Sequence, residues 1–505
     1  MKTAFRVALT ICLSAVLFAS PSPVRADTPS QSNLQAIDNL PIEPLNETQP
    51  TVFVPLAAEP TTHYKTLTGL DFHPESSNLT YSFGNGGLYP VNNLSDYSYY
   101  AAYTLPQGAT VTGITFFIID NNQDVGVEYS AMRYDPETGS HVEIGFGYSN
   151  LSLPNIRAFN LSSGLPFTIN NIYSYRLRVQ FRDTGNTQVL CGARIAYTLP
   201  TMPSSGDQDV TIIGADFRPG SSTTTFTPDS PFSGSLVATA ITAGDYFYTR
   251  LDLPQGAIIK EVKWFFIDNH TQNFALQLIT HRPSPSMVTA EINTTTSGAS
   301  ATIQTIAISD NITIDNATNS YSILFRPQAA AVDLRIVGAR VRYTPPATSQ
   351  LGQVQTKTYS GIHFLPSSSA LTYDNISMGV YALALSTGQN FQVSVDLPPN
   401  TCIQKITFYF MDDDEKNMTF VGRNYFPQTG TFSDPLYDIS SGASPETRTL
   451  VFSDTCDEMG VIDPSSMITR LRVQLGIEGV LNHILVGAKV EYIYPQVYLP
   501  LIRKE

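Results

Sequence analysis

Apolar and polar residues alternate with a period of two in many short segments of this chain. The clearest segment, 99–105, divides into one face with Tyr99, Ala101, Tyr103 and Leu105 and another with Tyr100, Ala102 and Thr104. Such alternation predicts a half-buried β-strand, with its apolar face in a core and its other face outside. No segment of ten or more residues carries a helical stripe, so the pattern predicts an all-β protein.

The stretch that follows this strand occurs three times. Residues 105–120 read LPQGATVTGITFFIID, residues 253–268 read LPQGAIIKEVKWFFID, and residues 397–412 read LPPNTCIQKITFYFMD. The Leu-Pro start predicts a turn, and the apolar run after it predicts a central strand buried on both faces. The single tryptophan, Trp264, lies in this run and is therefore expected in a core. A pattern repeated at this spacing indicates internal duplication.

Two further motifs recur and mark the ends of each copy. The leading motif, a Gly-x-x-Phe-x-Pro pattern, occupies residues 69–74, 214–219 and 361–366. The closing motif, Gly-Ala followed by a cation, occupies residues 192–197, 338–343 and 487–492. The repeats therefore span 63–200, 208–346 and 355–495, each large enough for its own core. Each is predicted to be an antiparallel β-sandwich, jelly-roll-like by preference and immunoglobulin-like as the alternative.

The two ends of the chain carry different signals. Lys2 and Arg6 precede a short apolar run, and small residues end at Ala26, which predicts a bacterial signal peptide over residues 1–26. Residues 27–62 have the polar composition of a flexible linker. The segments 52–56 and 497–501, the latter in the tail 496–505, share a Val-aromatic-x-Pro-Leu pattern that favours an edge strand or docked tail over a sorting signal. The mature chain is expected to be secreted, without a transmembrane segment.

The charge balance limits the partners. The chain has a formal net charge of −14, and only 14% of its residues are charged. Loss of the signal peptide removes three cations and makes the mature chain more acidic still. This balance argues against nucleic acid and against an anionic membrane surface. It is compatible with a cell-envelope component, a neutral glycan or a divalent cation as a partner.

An acidic residue ends the apolar run in every copy. These residues are Asp120, Asp268 and Asp412, and in the third copy Asp413 and Asp414 follow directly. The favoured interpretation is a carboxylate that caps backbone N–H groups where the strand ends. The alternative is a calcium ligand set, because calcium prefers clustered oxygen ligands. No other cofactor is expected.

Aromatic and cationic columns offer the other candidate sites. Tyr97, Tyr100, Tyr246 and Tyr248 are candidates for an exposed glycan-binding platform, although the third copy has Gln392 where the first has Tyr100. The closing motifs align three cations: Arg194, Arg340 and Lys489. A solvated strand face or surface ion pairs are favoured for these cations over a ligand clamp.

Three cysteines remain after removal of the signal peptide. Export permits disulfides, and Cys402 and Cys456 lie in the same repeat, so a bridge between them is one expectation. Cys191 aligns with Val337 and Val486, which favours a buried free thiol that packs as a small apolar side chain.

No catalytic pattern is repeated. The histidines do not align between copies, and the sequence contains no H-E-x-x-H, G-x-S-x-G, phosphate-loop or C-x-x-C motif. Catalytic residues are therefore not assigned.

The strand, Leu-Pro-x-Gly-Ala turn, strand and Asp pattern resembles tandem β-sandwich modules of uncharacterised exported bacterial proteins. The resemblance covers residues 63–495 and implies a fold, because its motif consists of core and turn residues. The leading hypothesis is a non-enzymatic extracellular or cell-envelope protein with a structural or adhesive role. The alternatives are a carbohydrate-binding array and a secreted hydrolase with a site in one divergent repeat.

Overall fold

A computed structural model of the chain describes residues 61–84, 87–92, 98–149, 153–199, 206–229, 234–242, 244–330, 333–346, 353–376, 379–384, 390–398, 401–453, 455–475 and 482–493. The signal peptide, nearly all of the linker, the segments 52–56 and 497–501, and Tyr97 lie outside these residues, and those predictions stay predictions.

The structure is all-β. The strands of the first repeat are β1 (Thr62–Thr68), β2 (His73–Pro74), β3 (Tyr81–Gly84), β4 (Gly87–Pro90), β5 (Tyr99–Tyr103), β6 (Thr110–Asp120), β7 (Glu128–Asp135), β8 (Ser140–Tyr148), β9 (Leu153–Asn160), β10 (Phe167–Thr168), β11 (Ser174–Gln180) and β12 (Gln188–Thr198). The strands of the second are β13 (Gln208–Ile213), β14 (Arg218–Pro219), β15 (Thr225–Pro228), β16 (Leu236–Ala240), β17 (Phe247–Leu251), β18 (Ile258–Asp268), β19 (Phe274–Pro283), β20 (Ser286–Thr295), β21 (Ser300–Thr313), β22 (Ser320–Pro327) and β23 (Leu334–Thr344).

The third repeat follows the same plan. Its strands are β24 (Val354–Ser360), β25 (Leu365–Pro366), β26 (Thr372–Ile376), β27 (Gly379–Ala384), β28 (Phe391–Val395), β29 (Thr401–Asp412), β30 (Thr419–Phe426), β31 (Thr431–Ile439), β32 (Ser444–Ser453), β33 (Val461–Ile462), β34 (Ile468–Gln474) and β35 (His483–Ile493). The helices are the short α1 (Thr455–Met459) and 3-10 turns at Gly69–Asp71, Gly185–Thr187, Gly214–Asp216 and Gly361–His363.

Each repeat forms two antiparallel sheets. In the first repeat the larger sheet contains the order β1-β12-β6-β9, and the smaller sheet contains β5-β11-β7-β8. The second and third repeats have the same orders, β13-β23-β18-β21 with β17-β22-β19-β20, and β24-β35-β29-β32 with β28-β34-β30-β31. This alternation of strands between the sheets is the jelly-roll order rather than the immunoglobulin-like one.

The predicted strand faces form the cores between the sheets. Tyr99, Ala101 and Tyr103 of β5 point into one large hydrophobic cluster of the first repeat. Trp264 is fully buried in the cluster of the second repeat, in agreement with the prediction. Phe408 occupies the same place in the third. The apolar run after Leu-Pro is therefore a core strand in all three copies.

The glycine of the closing motif is needed at a β-bulge. In β12 the pairing with β6 shifts between Leu190 and Gly192, so that Cys191 is the extra residue. A Cβ at Gly192 would lie only 2.3 Å from the Leu67 carbonyl oxygen of the adjacent strand. Val337 and Val486 stand at the corresponding shifts of β23 and β35. The bulge thus explains both the glycine and the small buried residue before it.

Both cysteine expectations are confirmed. Cys402 in β29 and Cys456 in α1 form a disulfide with their Cα atoms 5.3 Å apart. Cys191 is a buried free thiol, and burial raises its pKa to about 12. The thiol is therefore un-ionised at neutral pH and does not act as a nucleophile in this state.

The three repeats contact one another in a closed cycle. The Ser77 amide donates to the Phe226 carbonyl (3.1 Å), the Ser222 amide to Tyr373 (3.0 Å), and the Ser369 amide to Tyr81 (3.1 Å). These donors are equivalent in the aligned repeats, as are the acceptors. Repeat one therefore contacts repeat two, two contacts three, and three contacts one. The described residues from 61 to 493 accordingly form one compact unit, not a linear array of separate domains.

Candidate functional site

The repeated aspartates tie each core strand to the hairpin that follows it. The Ser149 hydroxyl donates to Asp120, Thr296 to Asp268, and Ser440 to Asp412. Each hydroxyl also accepts a backbone amide, from Val127 (2.6 Å), Phe274 (2.9 Å) and Met418 (2.8 Å) respectively. Each of these aspartates is thus a buried structural link between its strand and the following hairpin. Asp120, Asp268 and Asp412 with their hydroxyl partners are called the aspartate clips below. Only Asp120 also accepts the amide two residues on, from Asn122 at 3.3 Å, as the predicted cap would.

The acidic run of the third repeat does not converge on one point. Asp412 is buried and lies 3.1 Å from Arg448 and 3.0 Å from His483. Asp413 is exposed, and Asp414 accepts the Lys416 amide at 3.1 Å, which lowers the pKa of Asp414. Within the described ranges no group of three or more His, Cys, Asp or Glu side chains could hold a metal ion. The calcium interpretation therefore gains no geometric support and stays a prediction.

The interpretation of Tyr100 and Tyr248 as exposed platform residues is wrong. Tyr100 is 1% exposed and Tyr248 is 4% exposed. Tyr100 clusters with Met132, Tyr134 and Ile213, the last of which belongs to the second repeat. Tyr248 donates its hydroxyl hydrogen to the Ile362 carbonyl of the third repeat. The strand face that the alternation pattern placed away from the core of its own repeat is therefore covered by the next repeat. Tyr246 is partly buried, and its ring centroid lies 6.0 Å from that of Tyr248.

A buried charge pair lies in the same interface. Arg176 of the first repeat is completely buried and pairs with Asp216 of the second at 2.7 Å. The Arg176 guanidinium also stacks over the Tyr100 ring, 4.7 Å from its centroid. The equivalent pair between repeats two and three is Ser322 and His363, 2.9 Å apart. A charged pair at one interface is thus replaced by a neutral pair at the next.

The aligned cations of the closing motif also act between repeats. The Arg340 guanidinium donates to the Ile172 carbonyl and Arg194 donates to the Ser465 carbonyl, both at 2.8 Å. Lys489 instead lies 3.6 Å from Glu491 of its own strand. Arg340 also lies 3.4 Å from the half-exposed Glu137 of the first repeat, so the favoured ion pairs are present for Arg340 and Lys489. The contacts of Arg194 and Arg340 with carbonyl groups of a neighbouring repeat were not predicted.

A large cavity opens where the three repeats meet. Its volume is about 690 Å³, and its lining draws on all three repeats. Charged lining residues include Lys65, Asp71, Arg218, Arg250, Asp252 and Asp396. The Asp396 side chain lines this cavity and is 53% exposed.

Two aspartates that line this cavity, Asp252 and Asp396, form ion pairs with lysines of a neighbouring repeat. Lys65 lies 2.5 Å from Asp396, and Lys357 lies 3.4 Å from Asp252. Burial by itself would raise the pKa of Asp396, but the charges of Lys65 and Lys357 outweigh burial and lower it. At the third equivalent interface the Lys and Asp positions hold Val210 and Thr104. Both charges are lost together there, so no unpaired charge is left.

A smaller cavity adjoins the large one. Its volume is about 150 Å³, and it also receives residues from all three repeats. Leu70, His73, Arg218 and Leu365 line both cavities. Three of these, His73, Arg218 and Leu365, occupy the same position of the leading motif. They form the partition between the two cavities.

The sequence analysis missed the aromatic rings that the structure does expose. Phe146 and Tyr148 on β8 are about half-exposed and lie edge to face, 6.0 Å apart. Phe432 and Tyr437 on β31 are also exposed, and Arg423 stacks 3.8 Å from the Phe432 ring centroid. Both strands are the outer strands of their smaller sheets. The sequence feature that could have identified these residues is an aromatic side chain on the otherwise polar face of a strand at the edge of its sheet.

No family model and no curated protein matches this chain. Solved structures with partial similarity include an isomalto-dextranase of Arthrobacter globiformis in complex with panose (11% identity over 55% of this chain, TM-score 0.24) and a tandem CBM22 domain of Paenibacillus barcinonensis Xyn10C (10% identity over 52% of this chain and 86% of that one, TM-score 0.21). A triple jelly-roll protein of an archaeal virus is 8% identical over 89% of this chain and 99% of its own, with a TM-score of 0.19. The chain spans 36% of the isomalto-dextranase. At these TM-scores the similarities carry no functional conclusion. No helix in the described part of the chain is long and apolar enough to cross a membrane.

Replacement of Thr296 by Val tests the aspartate clip. The variant Thr296→Val removes the hydroxyl that donates to the buried Asp268 carboxylate. We expect a loss of about 1–3 kcal/mol in the free energy of unfolding, because a buried acceptor loses its partner. Thr296→Ser is the matched control, since Ser149 and Ser440 hold this position in the other repeats. Urea unfolding followed by Trp264 fluorescence measures both; equal stability of the Val and Ser variants would refute the clip.

Glu75 predicts a pH dependence of stability. It is 6% exposed, and burial raises its pKa to about 8, although the Ser98 amide and nearby arginines oppose this. Since the folded-state pKa lies above the unfolded one, the free energy of unfolding should fall as pH rises from about 4.5 to about 8. The fall is at most about 1.4 kcal/mol per pH unit.

The variant Glu75→Gln should lack this component. The difference in free energy of unfolding between the variant and the wild type, measured in urea at pH 5, 6.5 and 8, should move steadily in favour of the variant. A difference that does not change with pH would contradict the raised pKa.

Proposed function

We propose that this chain is an exported, non-enzymatic structural or adhesive protein, whose three jelly-roll-like modules close into one rigid ring. The observation that supports this proposal is the cycle of equivalent contacts between repeats. Residues shared by all three copies serve the cores, the turns, the aspartate clips or the inter-repeat contacts. Duplication has therefore multiplied a scaffold and not a reactive group, which distinguishes the proposal from a secreted hydrolase. N-terminal sequencing of the secreted chain, expected to begin at Asp27, tests export.

Several kinds of contact hold the repeats of the ring together. Contacts between repeats include backbone hydrogen bonds, the buried Arg176–Asp216 pair, and threonine hydroxyls that reach the previous repeat. Thr211 donates to the Asn171 carbonyl and Thr358 to the Asn316 carbonyl, both at 2.6 Å. Thr66 makes the corresponding contact with the Pro464 carbonyl, so this set is also cyclic. A unit held at every interface resists opening at any one of them.

The variant Asp216→Asn tests whether the ring is a single cooperative unit. It leaves the buried Arg176 guanidinium without its counter-charge, and we expect a loss of about 3–5 kcal/mol in the free energy of unfolding. In wild-type protein the urea transitions followed by Trp264 fluorescence, which reports on the second repeat, and by circular dichroism, which reports on all three, should coincide.

A matched control comes from the next interface of the same chain. The double variant Asp216→His with Arg176→Ser copies the neutral His363–Ser322 pair and should recover most of the lost stability. Wild-type transitions that separate, with the second repeat unfolding independently, would overturn the ring as the functional unit.

Glycan binding is a second candidate function, favoured by the exposed edge-strand aromatics. Phe146, Tyr148, Phe432 and Tyr437 present ring faces and edges to solvent on a weakly charged protein. Such rings supply apolar contact area and a polar group together, which suits the C–H faces and hydroxyls of neutral sugars.

Tyr437→Ala provides the test of glycan binding. If a neutral polysaccharide retards the wild-type protein in affinity electrophoresis, the variant should lose much of that retardation, because Tyr437 is 66% exposed and contributes the most accessible ring. Val451→Ala, at a half-exposed apolar residue of the opposite sheet, is the control and should behave as wild type. Retardation that is equal in both variants would exclude this strand as the platform.

A further inference from the structure

The smaller cavity has an apolar body and a single cationic end. Its apolar lining comes from every repeat and includes Leu70, Phe72, Leu79, Phe217, Phe226 and Leu371. Arg218, one of the residues that separate it from the larger cavity, lines both. A cavity of about 150 Å³ with leucine and phenylalanine walls is large enough for a benzene-sized group.

Arg218 has no acidic partner within the described ranges. Asp216, two residues away, is taken by Arg176, and Asp71 accepts the Thr68 amide at 2.6 Å and the Thr68 hydroxyl at 2.9 Å. Among the described residues, the Arg218 guanidinium has one side-chain hydrogen-bond contact, with His73 Nδ1 at 3.5 Å. A guanidinium without an acidic partner in the protein is able to bind an anion from outside the protein.

His73 orients Arg218 without adding charge. His73 Nε2 lies 2.6 Å from the Ala215 carbonyl oxygen and therefore carries the ring proton. In this tautomer Nδ1 is an acceptor, and it lies 3.5 Å from the Arg218 guanidinium. Burial, and then the Arg218 charge, hold the pKa of His73 well below its usual range, so the ring is neutral. Leu365 holds the same position in the third repeat, so the partition carries one positive charge.

Tyr81 supplies a second donor in the same cavity. Burial raises its pKa to about 12, although the nearby Arg218 charge acts in the opposite direction, so the hydroxyl keeps its proton. Tyr81 is a lining residue, and no hydrogen bond of its hydroxyl to a described residue is present, whereas the Tyr373 hydroxyl donates to the Pro219 carbonyl at 3.4 Å. Phe226 stands at this position in the second repeat, so the donor is specific to the first.

We propose that this cavity binds a small monocarboxylate with an apolar body, such as an aromatic acid. The carboxylate pairs with Arg218 and accepts a hydrogen bond from Tyr81, while the apolar body fills the space between the leucine and phenylalanine side chains. One cation selects a single negative charge. The cavity lining also includes Ser77, Ser222, Thr224 and Ser369. The hydroxyls of these residues already donate to acceptors of the protein, so a sugar or an inorganic phosphate would leave polar groups unpaired.

The chain itself suggests the test variants. Arg218→Leu copies Leu365, and Tyr81→Phe copies Phe226, so each places a residue that an equivalent site already accommodates. Binding of 4-fluorobenzoate to the full chain is measured by 19F NMR titration, with fluorobenzene as the neutral probe of the same size. Unchanged urea midpoints, followed by Trp264 fluorescence, establish that the variants fold.

The expected result separates the charge from the cavity. Wild-type protein binds fluorobenzoate; Arg218→Leu weakens that binding by about tenfold or more, as for a lost charge-assisted hydrogen bond, and leaves fluorobenzene binding intact. Tyr81→Phe weakens fluorobenzoate several-fold. If Arg218→Leu does not fold, Tyr81→Phe and Arg218→Lys carry the test, because both must weaken the carboxylate more than the neutral probe.

Three outcomes would overturn the proposal. The first is no binding of either probe to the wild-type protein at millimolar concentration. The second is equal fluorobenzoate affinity in wild type and in the folded variants. The third is complete displacement of fluorobenzoate by chloride together with no fluorobenzene binding, since an inorganic anion at Arg218 would then account for the site.

Discussion

The smaller sheet of each module has two faces to bury, and its own sandwich covers only one. In the first module the outer face carries Tyr100, Met132, Tyr134 and the completely buried Arg176. Exposure of such a surface to water would cost apolar burial and leave a broad apolar patch. The second module covers it, and the same step repeated twice returns to the starting module. Ring closure is thus the solution to a surface that no single module can bury.

This constraint explains which residues the repeats share and which they vary in pairs. The leading motif supplies the backbone amides and carbonyls that cross each interface, and the threonine before it reaches the preceding module. Where side chains differ, both sides of an interface differ together. Arg176 with Asp216 becomes Ser322 with His363, and a Lys–Asp pair becomes Val210 with Thr104. A buried charge tolerates loss of its partner poorly, so such pairs change as units.

The approximate threefold arrangement is broken most clearly where His73, Arg218 and Leu365 meet. In a ring of three identical chains these positions would repeat one residue, and three arginines in that place would repel one another. Duplication within a single chain allows one cation, one neutral acceptor and one apolar side chain at equivalent positions. Asymmetry of this kind leaves the single cation on which the proposed carboxylate site depends.

Much of the fold was readable in the sequence. The period-two faces, the triple Leu-Pro strand and the buried Trp264 followed from local pattern, because turn chemistry and core periodicity act over a few residues. The buried Cys191 followed from the comparison of the copies. The Cys402–Cys456 bridge, which joins residues 54 positions apart, was only one expectation, based on their place in the same repeat. The aspartate column was identified as well, but not the hydroxyl that holds each carboxylate, since that partner lies in the next hairpin.

Only the tertiary structure decided what the second face of each strand contacts. Alternation assigns Tyr100 and Tyr248 to the face away from the module's own core, and a sequence gives no sign of whether water or another module lies there. Contacts such as that of Ser369 with Tyr81 join residues 288 positions apart. They exist because three modules close into a ring, and closure depends on the shapes of whole surfaces. The sequence therefore determined the modules, while the packing between them determined the cavities, the buried ion pairs and the place of Arg218.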